Sequence, residues 1–330
     1  MSLFIIGASG TRGGTAGGLP GGEARSLVFP RLGPGVKKTM ARLTYEQLIE
    51  RFAQWAQGEG NIRAAVVVGS RARICPPADE WADLDIVVVA DDPRPYLDEA
   101  DWVAKLGPYW LTFLEPTADG RSMERRVLFA GGLDVDFPVI PTKAVHEMIH
   151  SGAPPPDVAD VFRRGAHILL DRDGLVARLR IAATELVPAF PPTEACFLNV
   201  VSDFWYHALW TAKHLRRGEL WWAKGCCDGH MKGLLCRMLE WHARAVRGPT
   251  HDTWFRGRFL EKWADPRAVQ ELRHTFAHYE KDDVWQALLA TMKLFDWLAR
   301  DTAARLNFPY PESSVEQVTQ LVRRLHAARG

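Results

Sequence analysis

No stretch of this 330-residue chain approaches 18 uncharged apolar residues, so no bilayer-spanning helix is expected. The amino terminus lacks a basic segment followed by an apolar one, which argues against secretion and for a cytoplasmic protein. Net charge is nearly absent: Lys+Arg 41 against Asp+Glu 40 leaves +1. A general nucleic-acid or anionic-membrane binder carries a basic surplus, so neither partner is expected. Paired cysteines are missing too. The five cysteines (Cys75, Cys196, Cys226, Cys227 and Cys236) form an odd set with no C-x-x-C spacing, which reads as small core residues in a reducing compartment. Cys226 and Cys227 are helix neighbours about 100° apart, a poor pair for one tetrahedral metal. With 47% hydrophobic and 25% charged residues, the chain has core enough for two domains without staples.

What is there divides into three stretches. Residues 1–39 hold ten of the 27 glycines, with Pro20, Pro30 and Pro34 among them, and are expected to be disordered. Met40 opens the first regular segment, so an alternative translation start is open there. Residues 40–142 read as an α+β domain. Thr44 and Gln47 form a capping-box pattern, and Leu48, Phe52 and Trp55 set a helix to about Gln57. Ala64 to Val68 is a buried strand that stops at Gly69-Ser70, and Leu84 to Ala90 is a second. A helix over about 95–106 follows, then strands over 109–114 and 125–129, a Gly131-Gly132 hairpin turn, and a return strand over 134–140. Residues 143–330 turn helical. Nine of the 13 tryptophans lie beyond residue 200, and Val284, Leu288, Met292 and Phe295 keep helical spacing, the mark of a bundle core.

Three motifs could carry chemistry. Gly7-Ala8-Ser9-Gly10-Thr11-Arg12-Gly13 imitates a dinucleotide loop, but glycines and Pro20 follow where a helix must start, so no nicotinamide site is expected. His146-Glu147-Met148-Ile149-His150 matches H-E-x-x-H, and a zinc-dependent hydrolase is the alternative it offers; a third ligand is not evident, and Ser151-Gly152 closes the helix. The third motif is richer. Gly69-Ser70 ends one strand, Asp83 and Asp85 open the next, and Asp136 lies on a later one. Side chains two apart on a strand share a face, so Asp83 and Asp85 would repel unless a hard divalent cation lay between them. Gly69 lets backbone N–H groups approach a phosphate, the Ser70 hydroxyl can donate to it, and Asp136 could complete a two-metal site for in-line displacement at phosphorus.

These residues resemble the nucleotidyltransferases of the DNA-polymerase-β-like superfamily, and within it the aminoglycoside 6-adenylyltransferases, also called streptomycin adenylyltransferases. Gly69-Ser70-Arg71-Ala72, Trp81-Ala82-Asp83-Leu84-Asp85-Ile86 and Asp134-Val135-Asp136-Phe137 carry the superfamily pattern. Ser202-Asp203-Phe204-Trp205, Ala212-Lys213, Arg217-Gly218-Glu219-Leu220, Met238-Leu239-Glu240-Trp241 and Phe308-Pro309-Tyr310 carry the narrower one, over nearly everything from Met40 onward. Ser202-Asp203 stands where the family has Asn-Glu, and Arg256-Gly257-Arg258 replaces a Lys-Gly-Lys-like stretch, departures that leave the acceptor open.

The resemblance implies a nucleotidyltransferase-type mixed sheet with flanking helices, followed by a helical substrate-binding bundle. It implies transfer of AMP from ATP to a hydroxyl of an aminoglycoside-like acceptor, with Mg²⁺ on Asp83, Asp85 and Asp136 and release of pyrophosphate, as in antibiotic resistance. Gly69, Ser70 and Arg71 would hold the triphosphate, with Lys213 a further phosphate ligand and Asp203 the candidate base. Glu115, Asp203, Trp205 and Glu240 are candidates for an acidic, aromatic-rimmed pocket between the domains. A monomer is expected, and a non-catalytic nucleotide-binding relative is the other alternative.

Overall fold

The computed structural model describes residues 43–73, 77–118, 120–152, 154–184 and 190–328. The Gly7–Gly13 loop, the expected disordered leader and Cys75 lie outside them. The described chain divides into two compact units, 43–184 and 190–328.

The first unit runs α1 (Tyr45–Gly58), β1 (Ile62–Val68), β2 (Leu84–Ala90), α2 (Arg94–Leu97), α3 (Asp101–Leu106), β3 (Tyr109–Pro116), β4 (Met123–Phe129), β5 (Leu133–Pro141), α4 (Thr142–His150), α5 (Pro156–Arg164), β6 (His167–Asp171) and α6 (Leu175–Thr184). Its six strands form one mixed sheet in the order β3-β4-β5-β2-β1-β6, in which β2 and β5 run parallel and every other pair antiparallel. β1 is apolar from Ala64 to Val68, where both of its faces are covered. Ile62, Ala65 and Val67 pack in the cluster that holds Leu48 and Phe52 of α1 and Val103 of α3. Ala64, Val66 and Val68 pack with Val145 of α4 and Leu175 and Leu179 of α6. Thr44 and Gln47 form the capping box at the start of α1 as expected.

Two local expectations need correcting. The helix over about 95–106 is two short ones, α2 and α3. The Tyr96 carbonyl accepts from Arg125 Nε at 3.0 Å and from Trp102 Nε1 at 3.2 Å, and the Leu97 carbonyl accepts from Arg125 Nη2. Tertiary donors thus take the carbonyls that a continuous helix would use. The compact units also part between 184 and 190, not after 142. β6 pairs with β1 as the sheet's last strand, and α4, α5 and α6 pack around that face, so residues 143–184 belong to the first unit.

The second unit holds α7 (Glu194–Arg216), α8 (Leu220–Gly225), a π-turn (Cys226–His230), α9 (Met231–Arg247), α10 (Leu260–Trp263), α11 (Pro266–Leu272), α12 (Lys281–Leu306) and α13 (Glu312–Ala327). α7, α9, α12 and α13 share one core. Phe204 of α7 and Phe295 of α12 stack there with ring centroids 3.6 Å apart, and Val284, Leu288 and Met292 line the same stripe, as their spacing predicts. Among the described residues, no helix is long and apolar enough to cross a membrane.

Candidate active site

β1 ends at Val68, and the chain turns through a 3-10 segment, Gly69–Arg71. Gly69 sits at φ +69°, and a Cβ placed on it would overlap the Asp85 carboxylate. Only glycine allows both the turn and that close approach. Val68 is the cross-strand partner of Asp85, so the turn falls beside the start of β2. Ser70 is 4% exposed, and its hydroxyl is spent on Asp83, with the backbone oxygen 3.0 Å and Oδ1 3.3 Å away. Its role in this structure is to hold Asp83. Arg71 lies over the Tyr45 ring, 3.5 Å from the centroid, and donates from Nη2 to the Ala82 carbonyl at 2.7 Å. Its buried Nε has no partner among the described residues.

The parallel pairing of β2 with β5 sets Asp85 opposite Asp136. Asp83, Asp85 and Asp136 each offer a carboxylate oxygen, and the three atoms lie within 4.8 Å of one another. Asp136 is 7% exposed. Burial pushes its carboxyl up to about 7, against the pull of Arg126, and the negative charges of Glu124, Asp83 and Asp134 push the same way as burial. An all-oxygen, acidic, crowded donor set of this kind suits a hard divalent cation.

Sequence reasoning missed the cation that holds this cluster. Arg126 on β4 is the cross-strand partner of Asp136 and reaches its Oδ2 at 3.0 Å. Its Nε also meets Glu115 at 2.6 Å and Glu124 at 3.1 Å. Glu115 and Glu124 face each other across β3 and β4, a like-charge pair that only the guanidinium makes tolerable. The signal available was Glu124-Arg125-Arg126 inside an otherwise apolar strand.

Gly69, Ser70, Arg71, Asp83, Asp85 and Asp136 therefore come together, and Glu115 joins them through Arg126. Asp203, Trp205, Lys213 and Glu240 belong to the second unit and do not form one group within it. Asp203 is bonded to two imidazoles, His207 and His230. Trp205, two residues on along α7, points from a different face. It is 5% exposed, donates from Nε1 to Tyr310 Oη at 3.3 Å, and lines a cavity of about 400 Å³ with Gln286, Lys293, Asp296 and Arg323. Neither Asp203 nor Glu240 lines that cavity. Lys213 is exposed on α7. Glu240 is half-buried on α9 beside Cys236, and burial pushes its carboxyl up to about 7 despite Arg244 and Arg237.

The His146–His150 pair shares one face of α4, with ring centroids 6.2 Å apart, and His150 Nδ1 lies 2.7 Å from the His146 carbonyl. Among the described residues no third ligand joins them, so the constellation a zinc hydrolase needs is missing.

The streptomycin adenylyltransferase family model matches residues 43–325, across both units. The chain belongs to that family. Its members are nucleotidyltransferases, as the resemblance implied. The aminoglycoside 6-adenylyltransferase of Bacillus subtilis (strain 168) is 21% identical over 276 residues, covering 81% of this chain and 93% of the relative. That of Staphylococcus aureus is 20% identical over 283 residues, covering 83% and 96%. Among solved structures, an aminoglycoside 6-adenyltransferase from Bacillus subtilis aligns with 87% of this chain at 18% identity, with a TM-score of 0.40.

Proposed function

We propose that this protein transfers the AMP moiety of ATP to a hydroxyl of a streptomycin-like aminoglycoside. The acceptor oxygen forms a bond to the α-phosphorus, the bond from that phosphorus to the leaving oxygen breaks, pyrophosphate departs, and the acceptor loses its proton. The observation that carries this reading is the convergence of Asp83, Asp85 and Asp136 beside the Gly69 turn, in a chain of this family.

Asp83, Asp85 and Asp136 would hold Mg²⁺, which when bound supplies charge neutralisation at the phosphates and lowers the pKa of a hydroxyl. The chain's own groups do the positioning. Gly69 brings backbone close to Asp85, and Ser70 fixes Asp83. Arg71, held beside the turn by Tyr45 and the Ala82 carbonyl, supplies positive charge for the phosphates of the nucleotide. Arg126 keeps Asp136 facing Asp85 while gathering Glu115 and Glu124. Use of ATP as donor accords with a cytoplasmic setting.

The test is to incubate the full chain with MgATP and a panel of aminoglycosides, following the added AMP by mass spectrometry and the pyrophosphate released. Asp85→Asn removes one ligand charge and is expected to cost at least ~10²–10³-fold in transfer, the scale seen for loss of one electrostatic stabiliser. Its melting temperature should be unchanged or higher, because repulsion is relieved. A folded Asp85→Asn protein that keeps a tenth of wild-type activity overturns the assignment.

A further inference from the structure

The second unit carries a cluster in which Asp203, the candidate base of the resemblance, meets two imidazoles that adenylyl transfer gives no role. Asp203 and His207 stand one helical turn apart on the same face of α7. His230 ends the π-turn that links α8 to α9. His207 Nδ1 lies 2.7 Å and His230 Nε2 2.8 Å from the same oxygen, Asp203 Oδ1. The two rings have centroids only 4.1 Å apart and are tilted by 54°. One ligand atom from each of the three residues falls within 4.8 Å of the others.

Three features make this more than a surface ion pair. A π-turn adds one residue to a helical turn and persists mostly where it positions a functional group; here it brings His230 to Asp203. Two imidazoles compete for one carboxylate oxygen, and His207 Nδ1 also lies 3.0 Å from the Asp203 carbonyl, so one N–H serves two acceptors. All three side chains keep access to solvent, at 30% exposure for Asp203, 28% for His207 and 45% for His230. Pairs that open contribute little to stability.

The donor chemistry differs from that of the acidic triad. Two imidazoles and one carboxylate form a borderline N/O set that favours zinc, cobalt or nickel over magnesium. At bond lengths of about 2.0–2.1 Å, ligand atoms around a tetrahedral ion stand about 3.3 Å apart. The contacts at 2.7 and 2.8 Å need open by only about half an ångström to reach that spacing. Three protein ligands would leave the fourth position to water or to a small donor molecule.

We propose that Asp203, His207 and His230 form a binding site for one zinc-class divalent ion, built from the second unit's residues alone and sharing no ligand with Asp83, Asp85 and Asp136. An ion there takes the place of the N–H protons that now bridge the three side chains, and in each neutral ring the displaced proton moves to the other ring nitrogen. It ties α7 to the turn before α9.

The experiment uses the full chain, stripped with EDTA, dialysed, and held in excess MgCl₂ so that the acidic triad has its preferred ion. Titration with CoCl₂ should give a visible d–d absorption that saturates near one equivalent, and one equivalent of ZnCl₂ should abolish it. His207→Ala and His230→Ala should each weaken cobalt binding at least ~10-fold, the loss expected for a damaged ligand set. Because His230 is exposed and His207 only partly buried, both variants should melt near wild type without metal. Asp85→Asn and the double variant His146→Ala/His150→Ala should bind cobalt as wild type does. The proposal is overturned by the absence of a saturable one-equivalent signal. It is equally overturned if either His variant binds as wild type, or if the His146/His150 double variant removes the signal. Loss of transfer activity in Asp85→Asn with cobalt binding intact would confirm that the two readings stand apart.

Discussion

Gly69→Ala is the sharpest single perturbation of the candidate site, because one methyl group acts on backbone and carboxylate at once. The residue sits at φ +69°, where a side chain costs about 1–2 kcal/mol. In a unit of this size, 1 kcal/mol moves the melting temperature by about 2–4 °C, so a fall of about 2–8 °C is expected. The new Cβ would overlap Asp85 Oδ2 and lie 3.2 Å from its Cγ, so the carboxylate must move by about 1 Å to reach ordinary contact. A displacement of about that size at a reacting centre costs about 10²-fold in rate. Gly131→Ala is the control: Gly131 is also at positive φ, +95°, yet a Cβ there meets nothing within 4 Å. It should lower the melting temperature by a similar amount and leave AMP transfer intact. Scanning calorimetry and the mass-spectrometric transfer assay read both quantities. If Gly69→Ala loses no more activity than Gly131→Ala, the glycine does not hold the Asp85 geometry and the reasoning fails.

Other perturbations test the surrounding physics. Arg126→Met strips the guanidinium from Glu115, Glu124 and Asp136, and should destabilise the EDTA-treated protein by about 3 kcal/mol in urea unfolding. Added Mg²⁺ should then raise its stability more than it raises that of wild type; equal stabilities in EDTA would show that the network carries no weight. Glu240→Gln tests the buried carboxyl of α9. Since burial lifts that group from 4.5 to about 7, the folded state holds its proton more tightly than the unfolded chain, so stability is complete below about 4.5 and is lost as pH rises through 7. The variant should match wild type near pH 4 and exceed it by about 3 kcal/mol at pH 8.5, the equivalent of that pKa difference; a gap independent of pH refutes the burial argument. Phe295→Ala empties one half of the Phe204–Phe295 stack, both rings being fully buried, and should cost about 3–5 kcal/mol by denaturant melt.

The parts of the fold that are local in origin were readable before any coordinates. Thr44 and Gln47 state the start of α1 chemically, and Leu84 to Ala90 matches β2 at both ends, with Asp83 before it and Asp91 after it. The metal-type triad was legible for a related reason. Charge at the mouth of a buried strand is costly, and the cost shows in the sequence. What failed depends on distant partners. β6, His167–Asp171, is an edge strand of intermediate burial without alternation, and its pairing with β1 over a hundred residues away cannot be read locally. The break between α2 and α3 is set by Arg125 on another strand. Arg126 was passed over because its three acidic partners meet only once β3, β4 and β5 lie side by side. Asp203 reads from the sequence as a pocket acid beside Glu115, Trp205 and Glu240; its neighbour His230 emerges only through the π-turn.

The parallel pairing that sets Asp85 against Asp136 makes the chemistry a gauge of correct assembly. Strand residues alternate between faces, so a slip of one position between β2 and β5 would send Asp136 to the opposite side of the sheet, away from Asp85. A misthreaded molecule could still be compact and soluble, yet it would be silent towards ATP. Specific activity per folded molecule thus counts the fraction of chains whose central hydrogen-bond ladder has formed in the right frame, which no melting curve alone can report.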